Sequence, residues 1–415
     1  MIRLLKVIKN AAYLIFIQGL GYLSPLLVSY LIIDRSGIEA FGQYSIYFSI
    51  ALYCQVLFDM GHQFTATRRI AGAVENRAYI SSVYWNAYAV KALVLVLGLL
   101  LATAIASVSA IEFEKLLAAV GYGAAAASLP IWFFHGTDRF RHVALLVFVS
   151  RALSLLLIYF LYDNADSITT VLWHQSWPNI VLALAILCVL LRSEKLTSLG
   201  QVTVNIREEF RGTLHVMSSS LGGSAMANMP VLVLGILKDD FLAGVYAGAD
   251  RLIKVLASAL LPISQAAFPA NSAQFAESAA AGVRSVLKLG SLLLIAFVIM
   301  LGAVWAFGDF YFRYFQLPDE SRLVFVILLG WLFWGVLNNI VGIQGLLAAG
   351  HGKVYNLAVW MAVLVTLTLL ITLIPRFGVV GTSFAIMLGE ASMFFVMLSY
   401  VAWLMIKRRR GGKIS

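Results

Sequence analysis

The stretch GVYAGADRLIKVLASALLP, from Gly244 to Pro262, is apolar enough to cross a bilayer, yet it holds Asp250, Arg251 and Lys254 near its middle. A hydrocarbon core about 30 Å thick takes roughly 20 apolar residues as a helix, because lipid cannot satisfy an open backbone. A charge at its centre costs from about 2.5 to more than 10 kcal/mol, so it must face a partner or water. Tyr246, Asp250, Lys254 and Ser258 recur every four residues and share one face, with Arg251 beside it. The stretch reads as a membrane helix with one wet or paired stripe. An i,i+4 pair between Asp250 and Lys254 accounts for two charges as helix packing and leaves Arg251 to explain.

Runs of this length make up the chain. Its 415 residues are 61% hydrophobic and 12% charged, with a mean hydropathy of +0.90, against roughly 45–50% apolar and 25% charged in a soluble domain. Twelve runs stand out, at about 10–33, 41–58, 80–104, 116–134, 142–162, 169–191, 212–237, 241–261, 286–307, 323–347, 355–374 and 379–406. The fold class expected is an all-α polytopic membrane protein with 12 transmembrane helices. The first run follows Arg3, Lys6 and Lys9, but it is longer than a signal-peptide core of about 7–15 residues and reads as an uncleaved first helix. Cys54 and Cys188 fall inside runs with no CxxC pattern, as buried, inert thiols would.

Charge assigns the sides. With the N-terminus in the cytoplasm, the inside segments hold Arg3, Lys6, Lys9, Arg68, Arg69, Arg77, Arg139, Arg141, Arg192, Lys195, Arg207, Arg211, Arg284, Lys288, Lys353 and the basic tail KRRRGGK from Lys407. The other side holds Arg35, Lys115, Lys238, Arg313, Arg322 and Arg376, in short acidic loops. This is the positive-inside asymmetry, and an even number of spans returns both termini to the cytoplasm. The net charge of +10 is dispersed over loop ends, which points to topology and anionic lipid rather than nucleic acid.

The longest charged connection, RSEKLTSLGQVTVNIREEFRG from Arg192 to Gly212, lies between the sixth and seventh runs. It divides the chain into an N-terminal six-helix bundle (1–191), a cytoplasmic linker (192–212) and a C-terminal six-helix bundle with a basic tail (213–415). The halves echo one another: FGQYSIYFSIAL from Phe41 matches AGVYAGADRLIKVL from Ala243, pairing Gly42 and Tyr44 with Gly244 and Tyr246. A match six spans apart implies a pseudo-two-fold axis along the membrane normal, and transporters place substrates at such repeat interfaces.

The ionisable residues deep in runs are Lys91, Arg151, Asp250, Arg251, Lys254 and Glu390, with Asp59 at a helix end. Four cations (Lys91, Arg151, Arg251, Lys254) face two carboxylates (Asp250, Glu390), an excess of two positive charges that suits an anionic guest. Lys91 and Arg151 read either as lining a lumen or as structural pairs. Glu390 reads either as a proton or cation site or as a counter-ion to a neighbouring helix. Gln18, Asn86, His174, Gln175, Asn228, Asn338, Asn339 and Gln344 are uncharged polar groups that read either as joining helices by hydrogen bonds or, for some of them, as touching sugar hydroxyls. The six histidines show no HExxH or paired spacing, and neither GxSxG nor GxxxxGK[ST] occurs, so no enzyme, metal or nucleotide signature is present.

KNAAYLIFIQGLGYLSPLL from Lys9, FGQYSI from Phe41, FDMGHQFTATRRIA from Phe58, PIWFFHGTDRFRHVALLVFVSRALSLLLIYFL from Pro130, YAGADRLIKVLASALLPISQAAFP and FGVVGTSFAIMLGE together resemble the polysaccharide transporter family of the multidrug/oligosaccharidyl-lipid/polysaccharide (MOP) superfamily, which includes the Wzx-type O-antigen flippases. The resemblance covers nearly the entire chain. It implies two six-helix bundles around a central lumen, as in the MATE-like fold. It also implies translocation of undecaprenyl-pyrophosphate-linked oligosaccharide from the cytoplasmic to the periplasmic leaflet of a bacterial inner membrane by alternating access, for lipopolysaccharide O-antigen biosynthesis. Arg151, Arg251 and Lys254, with Lys91 nearby, would then hold the anionic head group. Asp250, Glu390 and Asp59 would serve as charge partners or in coupling to a proton or sodium gradient. No cofactor or metal is implied, and an O-antigen polymerase and a chain-length regulator are the partners to expect. The competing readings are a MATE-like drug or cation antiporter, against which the excess of deep cations argues, and a membrane glycosyl polymerase or ligase, for which the outside loops look too short. A scaffold that uses its charges only for packing is the third.

Overall fold

The computed structural model describes residues 2–73, 76–108, 112–164, 166–193 and 196–409. Lys195, Arg410 and Lys413 lie outside the described residues, as do the side chains of Arg3, Lys6, Lys9, Gln18, Arg408 and Arg409. The elements are α1 (Ile2–Asp59), α2 (His62–Ala71), α3 (Arg77–Val108), α4 (Phe113–Ser128), α5 (Ile131–Gly136), α6 (Phe140–Leu161) and α7 (Ile168–Arg192). A 3₁₀ turn (Leu199–Gln201) leads to α8 (Ile206–Leu237), α9 (Asp240–Glu277), α10 (Ala279–Tyr314), α11 (Glu320–Asn338), a π-helical stretch (Asn339–Leu347) and α12 (Gly352–Arg409). No strand occurs among the described residues.

The protein is a multi-pass membrane protein of the all-α class. Nine helices among the described residues are long and apolar enough to cross a bilayer. Eleven of the twelve apolar runs lie on helical backbone to within a residue, the first two in α1 and the last two in α12, whereas the fourth, expected at 116–134, is interrupted at Leu129 and Pro130 between α4 and α5. Those two helices are each broken at a glycine: Gly37 has φ 82° and Gly378 has φ 53°. Both angles lie in the left-handed region that a Cβ disfavours, so glycine lets the chain end one helix and start the next without a loop.

Polar caps start several helices where the first backbone N–H groups lack intrahelical partners. The Ser167 hydroxyl accepts from the Thr169 N–H, Asp239 Oδ1 accepts from the Leu242 N–H at 2.8 Å, and the Ser278 hydroxyl accepts from the Ala281 N–H at 3.1 Å. Pro130 follows the end of α4 and cannot donate, which stops that helix and leaves its last carbonyls open.

The chain divides into two compact units, residues 1–228 and 229–415, with the division inside α8. In unit 1, α1, α4, α6 and α7 pack against one another, while α2, α3 and α5 gather a second core around Tyr84, Trp132 and Phe133. The segment before α8 is docked on α3. Leu196 is buried in that second core, Trp85 Nε1 donates to the Thr197 carbonyl at 2.9 Å, and the Thr197 N–H donates to the Ser81 hydroxyl at 2.9 Å. In unit 2, α9 packs on α10 and α11, and α11 on α12. Tyr44 and Tyr246, the matched tyrosines of the two echoing segments, are both fully buried.

The close approach of α1 to α4 depends on a missing side chain. A Cβ at Gly123 would stand 2.6 Å from Cys54 Cβ and 2.8 Å from both the Ala51 carbonyl oxygen and the Gln55 nitrogen, and backbone atoms cannot step aside. Gly123→Ala is expected to cost about 1–3 kcal/mol of stability, read as a lower melting temperature and lower membrane abundance. Gly335→Ala, where nothing lies within 4 Å, is the neutral control. Equal melting of the two variants would contradict this packing.

Candidate functional site

Lys91 stands on a buried face of α3 opposite the C-terminal end of α4. Its ammonium donates to the Ala127 carbonyl at 2.6 Å and lies 3.5 Å from Asp59 Oδ1. The rings of Tyr88 and Trp132 flank it, with centroids at 5.7 and 5.9 Å. The Tyr88 hydroxyl donates to the neighbouring Ser128 carbonyl. A cation at a helix C-terminus meets both the open carbonyls and the negative end of the dipole. Lys91 and Tyr88 thus cap α4, and Asp59 supplies the counter-charge.

Arg151, on α6, has a different environment. Its guanidinium donates to the Tyr122 hydroxyl at 3.4 Å and makes no ion pair with a described residue. Tyr122 packs on Phe48, Phe48 stacks on Tyr44, and the Tyr44 hydroxyl accepts from Gln175 Nε2 at 2.9 Å. The residue just before Arg151, Ser150, donates its hydroxyl to Asn179 Oδ1 at 2.5 Å. These bonds fix α6, α4, α1 and α7 around the cation through neutral groups.

In unit 2, Asp250 and Lys254 form the i,i+4 ion pair at 2.6 Å that their spacing anticipates, with Asp250 buried and Lys254 partly so. Arg251 stands half-buried beside them, near Tyr311, whose hydroxyl donates to the Gly248 carbonyl at 3.0 Å. Glu390, on α12, is met by an amide: Asn338 Nδ2 donates to its carboxylate at 2.5 Å and to its backbone carbonyl at 2.9 Å. A polar ladder runs nearby. The Ser264 hydroxyl donates to Asn339 Oδ1 at 2.9 Å, Gln344 Nε2 to Ser264 at 2.8 Å, and Asn271 Nδ2 to Gln344 Oε1 at 2.7 Å. Asn339 and Gln344 lie on the π-helical stretch, a geometry often found at functional sites. Ser264, Asn339, Trp331 and Glu390 line a cavity of about 200 Å³.

The structure therefore joins Lys91 with Asp59, and Lys254 with Asp250, and gives Arg151 and Glu390 neutral partners. Of the uncharged polar residues, Gln175, Asn338 and Gln344 join helices, whereas Asn228 bonds to Ser224 in its own helix.

A further charged group was not legible in the sequence. Glu209, in the first turn of α8, is buried and accepts from Arg69 through both Nη1, at 2.9 Å, and Nη2. His62 Nε2 lies 3.1 Å from the same carboxylate. The partners are 140 and 147 positions apart, too far for any local pattern to link them. Burial pushes the Glu209 carboxyl up, but hydrogen bonds from His62 and Arg69 and their charge outweigh it and hold it at about 2. This tie fastens the start of α8 to α2.

All-helical, multi-pass and divided into two units, the chain has the fold of the MOP-superfamily transporters. A MATE-family multidrug resistance transporter of that superfamily, solved in an inward-facing conformation, superposes with a TM-score of 0.71 over 94% of this chain and 95% of its own, at 14% identity. A MOP-superfamily transporter from Pyrococcus furiosus superposes with a TM-score of 0.60 over 97% and 96%, also at 14% identity. The family described as "Polysaccharide biosynthesis protein" matches residues 7–275, and the chain belongs to it. A relative from Escherichia coli (strain K12), named "Putative O-antigen transporter", is 25% identical over 409 residues, 95% of this chain and 96% of its own.

Because the Glu209 carboxyl is depressed from 4.5 to about 2, its contribution is complete above the unfolded value and is lost as pH falls through the folded one. Glu209→Gln is expected to lower stability by about 1.5–3 kcal/mol, the scale of a hydrogen bond to a charged group. Melting of the two proteins in detergent across pH checks it. The gap stays constant at and above pH 4.5 and closes towards pH 2; a gap already closed at neutral pH contradicts the assignment.

Proposed function

We propose that this chain is a flippase that moves undecaprenyl-pyrophosphate-linked oligosaccharide units, of the kind used for O-antigen, from the cytoplasmic to the periplasmic leaflet of a bacterial inner membrane. It works by alternating access across twelve spans, with both termini cytoplasmic. The observation that carries the reading is Arg151: an intramembrane guanidinium held by the Tyr122 hydroxyl, with no carboxylate neutralising it among the described residues. A charge kept at this cost inside a membrane protein is a functional site by default, and its natural complement is an anion such as a pyrophosphate.

Family and relative support the same reading, since both concern polysaccharide and one is named for O-antigen transport. The positive-inside distribution of Lys and Arg supports the orientation. In unit 2, α9 carries Arg251 beside the Asp250–Lys254 ion pair, a second group of deep cations. Coupling to a proton or sodium gradient would act through Glu390, a carboxylate met by an amide rather than by a cation. A polymerase and a chain-length regulator would receive the product. A drug or cation antiporter would need deep carboxylates in excess, the reverse of the count here.

The test is surface O-polysaccharide in a strain whose only copy carries Arg151→Ala or Arg251→Ala, with membrane abundance checked in parallel and Arg→Lys at each position as the charge-preserving control. A hydrogen bond to a charged group is worth about 1.5–3 kcal/mol, so each Ala variant should lose roughly 10- to 100-fold in export at normal abundance while Lys retains part of it. Export unchanged in both Ala variants overturns the cationic site.

A further inference from the structure

A polar hollow in unit 1 is separate from the deep cations. It measures about 620 Å³, within the roughly 300–1,000 Å³ of small-molecule sites, and three elements wall it. From α3 come Tyr79, Ser82, Val83 and Asn86, spaced i, i+3, i+4 and i+7, so one face of that helix lines it. From α2 come Thr65, Arg68 and Arg69, and from the start of α8 and the residues before it come Thr203, Asn205, Glu208, Glu209 and Thr213. A helix face that carries Tyr, Ser and Asn at a membrane boundary needs polar company, and here it faces a hollow rather than another helix.

The walls are held in place by bonds among themselves. Glu209 is clamped by Arg69 and His62. The Asn205 N–H donates to Asn86 Oδ1 at 2.6 Å, and Asn205 Nδ2 donates to Glu208 Oε2 at 3.0 Å. Two groups are left over: the Arg68 guanidinium and the Tyr79 hydroxyl make no hydrogen bond or ion pair with a described residue. The cavity thus combines a preformed frame with unused donors at its mouth.

Charge and chemistry select the guest. Two arginines, Arg68 and Arg69, balance two glutamates, Glu208 and Glu209, so the site is formally neutral, and the carboxylates oppose a bare phosphate. Its hydroxyls, amides and charges oppose an apolar guest, whose burial would strip them of hydration. What remains is a neutral polyol. Each sugar hydroxyl both donates and accepts, and carboxylate, guanidinium and amide groups placed around it satisfy both roles, while an aromatic ring such as Tyr79 covers the apolar face of a pyranose.

We propose that this hollow is a carbohydrate-binding vestibule that receives the sugar of the lipid-linked substrate on the cytoplasmic side, ahead of the cationic site. The identity of the sugar's carrier and the side of entry rest on the flippase reading; the sugar chemistry rests on the cavity. Pyrophosphate and sugar are then recognised in different places, the anion by Arg151 and the polyol by this neutral frame.

The experiment uses the full chain, purified in detergent, with a panel of free neutral hexoses, deoxyhexoses and N-acetylhexosamines observed by saturation-transfer NMR, and inorganic pyrophosphate as the anionic probe. At least one sugar should bind with a dissociation constant of about 1 mM, weakened about tenfold or more by Tyr79→Ala and by Arg68→Ala. Both side chains are exposed and make no bond to a described residue, so both variants should melt as the wild type does. No transfer to any sugar, transfer unchanged in both variants, or pyrophosphate competing for the site and binding tighter after Glu208→Gln each overturns the vestibule. Export by the unmodified chain tests the flippase reading independently. Export without sugar binding removes the vestibule alone; sugar binding that Tyr79→Ala abolishes, in a chain that supports no export, removes the flippase reading and keeps the vestibule.

Discussion

Hydrocarbon offers no hydrogen-bond partner, so every polar group within the spans must be met by the chain itself, and the architecture follows from that constraint. The backbone meets it by being helical through most of the described residues, with breaks inside α1 and α12 at Gly37 and Gly378, where a positive-φ glycine joins two helices directly. Small hydroxyls meet it by bonding back one turn: Ser45 to Phe41, Ser49 to Ser45, Ser154 to Ser150 and Ser176 to Leu172. Larger amides meet it by reaching across, as Gln175 does to Tyr44 and Asn338 to Glu390.

Charges obey the same constraint in three ways. Lys91 and Lys254 are answered by Asp59 and Asp250, and Lys91 also closes the end of α4, so both have a structural account inside their own unit. Arg151 is answered by a phenol, which leaves its charge in place. Burying a charge is tolerable when hydrogen bonds and neighbours compensate, and a site that leaves the charge uncancelled keeps its electrostatic reach for something else. Glu209 shows the third case, a carboxylate bound so firmly by Arg69 and His62 that it acts as a fastener between α2 and α8.

The legible part of the fold was the part with a one-dimensional signature. Apolar runs of span length, basic loop ends and the echo of FGQYSI in AGVYAGAD could be read directly, because span length and loop charge are properties of contiguous residues. The Asp250–Lys254 pair was legible for the same reason, since four residues make one helical turn. Lys91 was legible as a charge within an apolar run, and it is buried, but its tie to Ala127 depends on where Pro130 stops α4, and nothing near Lys91 announces that. The tyrosine that holds Arg151 lies 29 residues away, on another helix.

By itself, the sequence determined that this is a multi-pass helical membrane protein and which ionisable residues fall within its apolar runs, because both are set by local composition against a bilayer of fixed thickness. Only the tertiary structure decided which charges are cancelled. It brought Glu209 to Arg69 and His62, gave Arg151 a phenol, and arranged one face of α3 around a neutral polar hollow. The physical reason is range: hydropathy acts along the chain, whereas the energy of a charge in a membrane depends on what stands within a few ångströms of it, and packing alone sets that.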